Sequence, residues 1–194
     1  MVLWLVACAP PDADTSPGYV SGDGAVTEWE QGSRPGPLAL TGVDFDGNAI
    51  DLADMRGQVV IVTTWYAACP PCRAEAPDLV ELDAIEGVRV LGVNVRDDAD
   101  TAKAFDRTFG VTYPSLDGSD GTAIAALQDL VAVRAVPTAL ILDPDGLVAA
   151  RAVGRIEPST LRALVEAAGG GAVTMPSAET SSVATASAGS EAGQ

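Results

Sequence analysis

Two of the three cysteines in the chain are separated by two residues, in the run Cys69-Pro70-Pro71-Cys72. This run follows a β-branched apolar stretch, residues 58–64, and opens a segment with helical periodicity, residues 70–86. A thiol at a helix N-terminus faces free N–H groups and the positive end of the helix dipole, which lower its pKa and favour the reactive thiolate. The spacing therefore predicts a redox dithiol, in which Cys69 attacks a disulfide and Cys72, one helical turn later, resolves the mixed disulfide.

The composition of the chain excludes several other kinds of chemistry. The 194 residues include 11 Lys and Arg against 27 Asp and Glu, for a net charge of -16, and there is no histidine. Such acidity repels nucleic acid. Without histidine the chain cannot form a Ser-His-Asp or Cys-His nucleophile or an HExxH zinc site. Because Cys8 is remote and no second cysteine pair exists, an all-cysteine zinc site is also disfavoured. We expect no metal and no cofactor beyond a Cys69–Cys72 disulfide.

The elements that must position the dithiol alternate along the chain. Two apolar runs predict central strands, and three segments between or after them have helical character. A strand, turn, strand pattern then predicts an antiparallel hairpin, and Pro158 begins a closing helix at a position where its missing N–H does no harm. This order predicts an α/β fold with a central mixed sheet flanked by helices. The predicted strands are 58–64, 88–95, 138–143 and 147–153; the predicted helices are 70–86, 99–109 and 122–130.

Both ends of the chain differ in composition from residues 37–168, which we expect to form the domain. Leu5-Val6-Ala7-Cys8 resembles a bacterial lipobox, so residues 1–8 are expected to be the end of a lipoprotein signal, with Cys8 as the lipid anchor. The alternative is an N-terminal strand with an inert Cys8. Residues 9–36 have the composition of a flexible tether, and residues 169–194 that of a disordered low-complexity tail. These features predict an extracytoplasmic lipoprotein held at a membrane.

Residues 37–168 resemble the TlpA/ResA-like thiol-disulfide oxidoreductases of the redoxin (AhpC/TSA-related) superfamily. The resemblance rests on Phe45-Asp46-Gly47, Trp65, the Cys-Pro-Pro-Cys-Arg-x-Glu-x-Pro run that starts at Cys69, and Val136-Pro137-Thr138. It implies a thioredoxin-like fold with an N-terminal β extension. It also implies that Cys69 is the nucleophile and Cys72 the resolving thiol.

The resemblance assigns roles to further residues around the dithiol. Glu75 matches the buried acid of the family, and it is the only candidate to assist Cys72, since Thr63 stands where thioredoxin has an aspartate. Pro137 matches a cis-proline that faces the dithiol, and the backbone of Val136 would pair with an extended substrate segment. The implied catalytic residues are Cys69, Cys72 and Glu75; the implied substrate-binding residues are Trp65, Pro70, Pro71, Val136 and Pro137.

The resemblance implies that the protein reduces disulfides of exported proteins, with apocytochrome c as the leading client and a membrane thiol protein as the electron donor. Pro70 and Pro71 have no N–H to stabilise a thiolate, which favours a reductant. Three alternatives remain open. A thiol peroxidase would carry a Pro-x-x-x-Thr-x-x-Cys loop, and a Sco-like copper chaperone would need a histidine ligand. The third alternative is a redox-inert lipoprotein.

Overall fold

A six-stranded mixed sheet forms the centre of the computed structural model, which describes residues 24–131, 135–170 and 173. Three adjacent strands of this sheet are parallel, and the others run antiparallel to their neighbours. A separate antiparallel pair lies earlier in the chain. In spatial order the sheet contains β1 (Ala25–Glu28), β8 (Val148–Val153), β7 (Thr138–Leu142), β4 (Val59–Trp65), β5 (Val88–Asn94) and β6 (Ser115–Asp117); the separate pair is β2 (Thr41–Val43) and β3 (Ala49–Asp51).

The central strands are buried on both faces, which explains their nearly continuous apolar sequences. All seven residues of β4 and all five of β7 are buried. Helices cover the sheet, so the predicted mixed sheet flanked by helices is confirmed. Two helices are three residues shorter than predicted, because the chain leaves the helical path in tight turns after Asp83 and Leu127. The helices are α1 (Pro70–Asp83), α2 (Ala99–Phe109), α3 (Thr122–Leu127) and α4 (Pro158–Ala168).

The two faces of the sheet carry separate hydrophobic cores. On one face, Ile61 and Val90 pack with apolar side chains of α1 and α4, such as Leu79 and Leu161. On the other face, the alternate strand residues pack against α3 and the segment that precedes β4. Successive residues of a strand point to opposite faces, so the first four residues of β4, 59–62, alternate between the two cores. Helix α1 therefore packs on the face of the sheet that carries Ile61 and Val90.

The N-terminal boundary of the domain differs from the prediction. We expected residues 9–36 to be a tether, but residues 24–36 lie along the domain. β1 pairs with β8, and a salt bridge of 2.9 Å joins Arg34 to Asp143. The side chains of β1 are all exposed, so no apolar pattern marks the strand, and backbone hydrogen bonds to the edge of the sheet hold it. The domain is thus longer at its N-terminus than the sequence suggested.

The C-terminal boundary also differs by a few residues. We expected a tail with nothing to pack from residue 169, but Val173 is buried and belongs to the core that contains Val59. Residues 1–23, 132–134, 171–172 and 174–194 lie outside the described residues. The predicted lipobox with Cys8, the first part of the tether and most of the tail are therefore among the residues that the structure does not describe.

Candidate active site

The dithiol lies at the junction between β4 and α1. Cys69 is the N-cap residue of α1 and is joined to Cys72 by a disulfide with an S–S distance of 2.01 Å. The backbone N–H of Cys72 donates a hydrogen bond of 3.2 Å to the sulfur of Cys69. Pro70 and Pro71 occupy the first two positions of the helix, where an ordinary residue would offer further N–H groups. One helix N–H therefore serves the sulfur of Cys69.

Both cysteines are enclosed in the oxidised protein. Cys69 is 1% exposed and Cys72 is 4% exposed. The sulfur of Cys69 turns inward to cap the helix, and apolar side chains, among them Tyr66 and Val136, pack against the cluster that contains it. Pro70 is exposed and Pro71 is half-buried, so these two rings form the outer surface of the motif.

Trp65 forms a wall of the site and is held from two sides. Its ring lies 4.5 Å from that of Phe105, centre to centre, and its indole N–H donates a hydrogen bond of 3.2 Å to the hydroxyl of Ser115. Gly92, on β5, makes room for this contact: a Cβ there would overlap the Ser115 hydroxyl and lie 2.8 Å from the indole nitrogen. Trp65 and both cysteines belong to one apolar cluster. This arrangement fixes the last residue of β4 beside the dithiol.

Two hydrogen-bonded side chains that the sequence analysis missed, Asn94 and Asp97, support the loop between Trp65 and Cys69. The carboxylate of Asp97 accepts a hydrogen bond of 2.6 Å from the N–H of Ala67 and one of 2.8 Å from the side chain of Asn94. The side chain of Asn94 is fully buried and accepts hydrogen bonds from the N–H groups of Arg96 and Asp97. An Asn followed by an Asp three residues later is a turn signal. The position of this turn beside the loop that precedes Cys69 follows only from the pairing of Trp65 with Asn94 in the sheet.

The Val136–Pro137 peptide bond is cis, as the resemblance implied. Val136 packs against the cluster that contains Trp65 and the cysteines, so the structure brings this loop to the dithiol. The next residue, Thr138, donates its N–H to the hydroxyl of Thr64 over 3.0 Å. The sequence analysis did not assign Thr64 a role, and the structure shows that its hydroxyl ties the cis-proline loop to β4.

Glu75 lies one turn beyond Cys72 on α1 and is 3% exposed. Burial raises its pKa from the ordinary value of 4.5 to about 7; the positive charge of Arg155 opposes this change and the negative charge of Asp78 adds to it. Arg155 and Asp78 form a salt bridge of 3.5 Å. Nearby on β4, the hydroxyl of Thr63 is buried and has no hydrogen-bond partner among the described residues. The site thus contains a buried carboxyl group that exchanges its proton near neutral pH.

The structure brings the predicted site residues together, with one exception. Trp65, both cysteines and Val136 meet in one cluster, Pro137 is buried next to it, and Glu75 is on the same helix as the dithiol. The exception is Cys8, which lies outside the described residues. In the described part of the chain, no group of three His, Cys, Asp or Glu side chains is placed to hold a metal ion. The described helices include none with the length and apolarity needed to span a bilayer.

Known proteins resemble this chain in sequence and in fold. A family model described as the AhpC/TSA family matches residues 37–151. The thiol-disulfide oxidoreductase ResA of Bacillus subtilis (strain 168) is 26% identical over 121 residues, which make up 61% of this chain and 65% of that protein. The thiol:disulfide interchange protein DsbE of Escherichia coli (strain K12) is 32% identical over 103 residues, or 53% of this chain and 54% of that protein. The matches thus span less than two thirds of either curated relative.

Solved structures also match this chain in fold. A secreted thiol-disulfide isomerase from Corynebacterium glutamicum has 29% sequence identity and a TM-score of 0.68, and the match covers 79% of this chain and 97% of that chain. A thioredoxin family protein from Chlorobium tepidum TLS has 27% sequence identity and a TM-score of 0.62, and the match covers 68% of this chain and 93% of that chain. The predicted thioredoxin-like fold is therefore confirmed.

Proposed function

Because the chain belongs to the AhpC/TSA family, we propose that it is a thiol-disulfide oxidoreductase of the ResA/DsbE type that reduces disulfides in exported proteins. The observation that carries the proposal is the Cys69–Cys72 pair at the N-terminus of α1, beside a cis-proline loop and on the same helix as a buried acid. The names of ResA and DsbE support the same chemistry. The alternatives of a peroxidase, a copper chaperone and an inert lipoprotein have no specific observation in their favour.

In the proposed cycle, two electrons move from the dithiol to the client. The Cys69 thiolate attacks one sulfur of the client disulfide, and the other client sulfur leaves as a thiolate that takes up a proton. The Cys72 thiolate then attacks the sulfur of Cys69 and displaces the first client sulfur, which is protonated in turn. The client is reduced to a dithiol, and the protein is left with the Cys69–Cys72 disulfide. We propose that a membrane thiol protein returns the two electrons.

Glu75 is the proposed proton acceptor for Cys72. Residues three apart on a helix are neighbours, so the carboxyl group lies on the same side of α1 as the resolving cysteine. A general base works best when its pKa is near the working pH, and burial raises the pKa of Glu75 to about 7. The charged carboxylate would take the proton of the Cys72 thiol, and the neutral acid would return it when the disulfide is reduced.

The two prolines favour the direction of reduction. A stabilised thiolate makes the dithiol form more stable and the disulfide a stronger oxidant. Here the helix offers the sulfur of Cys69 a single N–H, that of Cys72, because neither Pro70 nor Pro71 has one. The dithiol is therefore less stabilised and gives up its electrons more readily.

The proposed client lies across the cis-proline loop as an extended segment, with its backbone paired to that of Val136. Trp65 and Pro137 would line the surface next to the reacting sulfurs, and the exposed Pro70 with the half-buried Pro71 would contact the client from the helix side. Apocytochrome c is the client class that the resemblance implies, and we propose it as the first candidate.

We also propose that Cys8 is lipidated and that the domain works outside the cytoplasm, attached to the membrane by this anchor. The composition of the residues after Cys8 supports a tether, although residues 24–36 belong to the domain. Metabolic labelling with a palmitate analogue in a bacterial host, with Cys8→Ala as the control, tests this part. Labelling of both proteins or of neither contradicts it.

Two measurements test the proposed activity. Equilibration of the full chain with glutathione gives its reduction potential, and a strongly oxidising value near that of DsbA, about -120 mV, would contradict a reductase. Trapping with Cys72→Ala should accumulate a client joined to Cys69, because no thiol is left to resolve the mixed disulfide. The double variant Cys69→Ser/Cys72→Ala is the matched control and should trap nothing. Equal trapping by both variants rules out Cys69 as the nucleophile.

A further inference from the structure

A cavity of about 570 Å³ opens beside the dithiol, and its lining differs in charge from the rest of the protein. It extends from Tyr66 and Val136, which pack against the cysteine cluster, to the loop between β6 and α3, where Gly118, Ser119 and Gly121 line it. Arg96 also lines it. Among the described residues that line the cavity, Arg96 is the one charged side chain, in a chain whose net charge is -16.

The guanidinium group of Arg96 is held in place without a carboxylate. Its central carbon lies 4.0 Å from the centre of the Tyr66 ring, and Arg96 is exposed. Stacking on a ring occupies one face of a guanidinium and leaves the N–H groups at its edge free to bond. Within the described part of the chain, Arg96 takes part in no salt bridge.

The nearby acidic side chains are engaged elsewhere. Asp97 accepts hydrogen bonds from Ala67 and Asn94. Asp117 and Asp120, next to Gly118 and Gly121 in sequence, accept hydrogen bonds from the backbone N–H groups of Ser119 and Thr122. Because none of these carboxylates pairs with Arg96 in the described part of the chain, the N–H groups of Arg96 have capacity for an acid from outside the chain.

The cavity begins next to the loop on which the proposed client segment lies. Tyr66 accepts a hydrogen bond from the N–H of Cys69 through its carbonyl, at 3.1 Å, and Val136 belongs to the loop on which the proposed client segment lies. An extended segment advances about 3.3 Å per residue. The second or third residue from the client cysteine thus lies about 7 to 10 Å along the segment, a length suited to carry it past Tyr66 into the cavity.

We propose that this cavity is a client subsite in which Arg96 binds the carboxylate of an Asp or Glu two or three residues from the client cysteine. The planar fork of an arginine matches a carboxylate with two parallel hydrogen bonds. The subsite rests on the proposed oxidoreductase function and specifies its substrate class: exported proteins with an acidic residue close to a reactive cysteine.

Synthetic peptides with one internal disulfide test the subsite. The peptides carry Glu, Gln or Lys in turn at the second and third positions on each side of the cysteine pair, and their reduction by the reduced full chain is followed as kcat/KM. At one or more positions, we expect the Glu peptide to exceed the Gln peptide by about tenfold, the factor given by one charge-assisted hydrogen bond. Raising the salt concentration should reduce this preference, because the exposed guanidinium is screened.

Three variants test whether Arg96 is the residue that recognises the carboxylate of the Glu peptide. Arg96→Gln should lower kcat/KM about tenfold for the preferred Glu peptide while leaving the Gln peptide within a factor of about two. Arg96→Lys should keep part of the preference, since the charge remains and the fork is lost. Arg89→Gln, which makes the same charge change at the start of β5 on an exposed residue, should leave the preference intact.

The outcomes separate the subsite from the proposed function. Reduction of all peptides at similar rates, or an equal loss for Glu and Gln peptides in Arg96→Gln, overturns the subsite and leaves the oxidoreductase function standing. A loss of preference in Arg89→Gln as large as that in Arg96→Gln also overturns it, since net charge alone would then explain the effect. If the wild-type chain reduces none of the peptides, both the subsite and the function are refuted.

Discussion

The buried Glu75, one turn beyond Cys72 on α1, predicts a large dependence of stability on pH. Burial raises the pKa of Glu75 from 4.5 to about 7, and each pKa unit is worth about 1.4 kcal/mol between the two protonation states. The ionised form of Glu75 therefore costs the folded protein about 3 kcal/mol. The substitution Glu75→Gln keeps the shape of the neutral acid and removes the ionisation.

The sign of the effect follows from which state binds the proton more tightly. Below pH 4.5 the carboxyl group is protonated in both the folded and the unfolded chain, so it costs nothing. Between pH 4.5 and about 7 the folded chain keeps a proton that the unfolded chain has released, so stability falls as the pH rises. Above that range the cost is constant. Glu75→Gln should therefore gain stability relative to the wild type as the pH rises.

Urea unfolding of the oxidised protein measures this gain. At pH 5, which is above the isoelectric point near 4.1, the cost in the wild type is small, and at pH 8.5 it is nearly complete. The free energy of unfolding of Glu75→Gln, relative to the wild type, should rise by about 2 to 3 kcal/mol between these two pH values. The control Glu86→Gln changes an exposed residue three positions after the end of α1. Its free energy of unfolding, relative to the wild type, should show no such rise. Parallel stability curves for Glu75→Gln and the wild type would refute the assignment of a buried, neutral acid.

Three other substitutions test separate features of the site. Pro71→Ala adds a helix N–H beside the nucleophilic sulfur, and it should make the reduction potential about 10 to 20 mV less negative, as measured against glutathione; an unchanged or more negative potential contradicts the role of the prolines. Gly92→Ala should destabilise the protein by about 1 to 3 kcal/mol in urea and disturb Trp65 fluorescence, because the new methyl group overlaps the Ser115 hydroxyl; a fully stable variant shows that the contact is loose. Arg155→Met should raise the pKa of the buried glutamate, measured by carboxyl carbon NMR, since a favourable charge is lost; a lowered pKa contradicts that interaction.

Much of the fold could be predicted because its signals are local. A strand buried on both faces needs a continuous apolar run, and the runs in β4, β5 and β7 are visible in the sequence. The position of the dithiol between such a run and a helix is equally local, and it was enough to predict a redox role. Helix boundaries were less certain, since a turn and a last helical turn have similar residues.

The edge strands could not be predicted because their stability comes from a neighbour. β1 is four residues long and fully exposed, and it exists through its backbone pairing with β8. β6 has three residues, and it pairs in parallel with the last three residues of β5. In both strands the hydrogen-bond partner is distant in sequence, so no pattern within the segment distinguishes it from a loop.

The supporting residues of the site were hidden for the same reason. The parallel register of β4 and β5 pairs Trp65 with Asn94, and this pairing brings Asp97 to the loop before Cys69 and Arg96 to the ring of Tyr66. A change of register by two residues would move all of these contacts while leaving both strand sequences unchanged. The contacts of Asp97 and the proposed client subsite thus depend on the tertiary register.

The free-energy cost of ionising the buried Glu75 is itself an argument for its proposed role as a proton acceptor. A carboxyl group that is 3% exposed, next to a core that contains Leu79, could be replaced by an apolar side chain of similar size. Such a replacement would remove a penalty of about 3 kcal/mol at alkaline pH, where a domain of this size has a total stability of only about 5 to 15 kcal/mol. Groups that carry such a penalty are concentrated at functional sites. The position of Glu75, one turn from Cys72 on α1, supports the proposed proton exchange with Cys72.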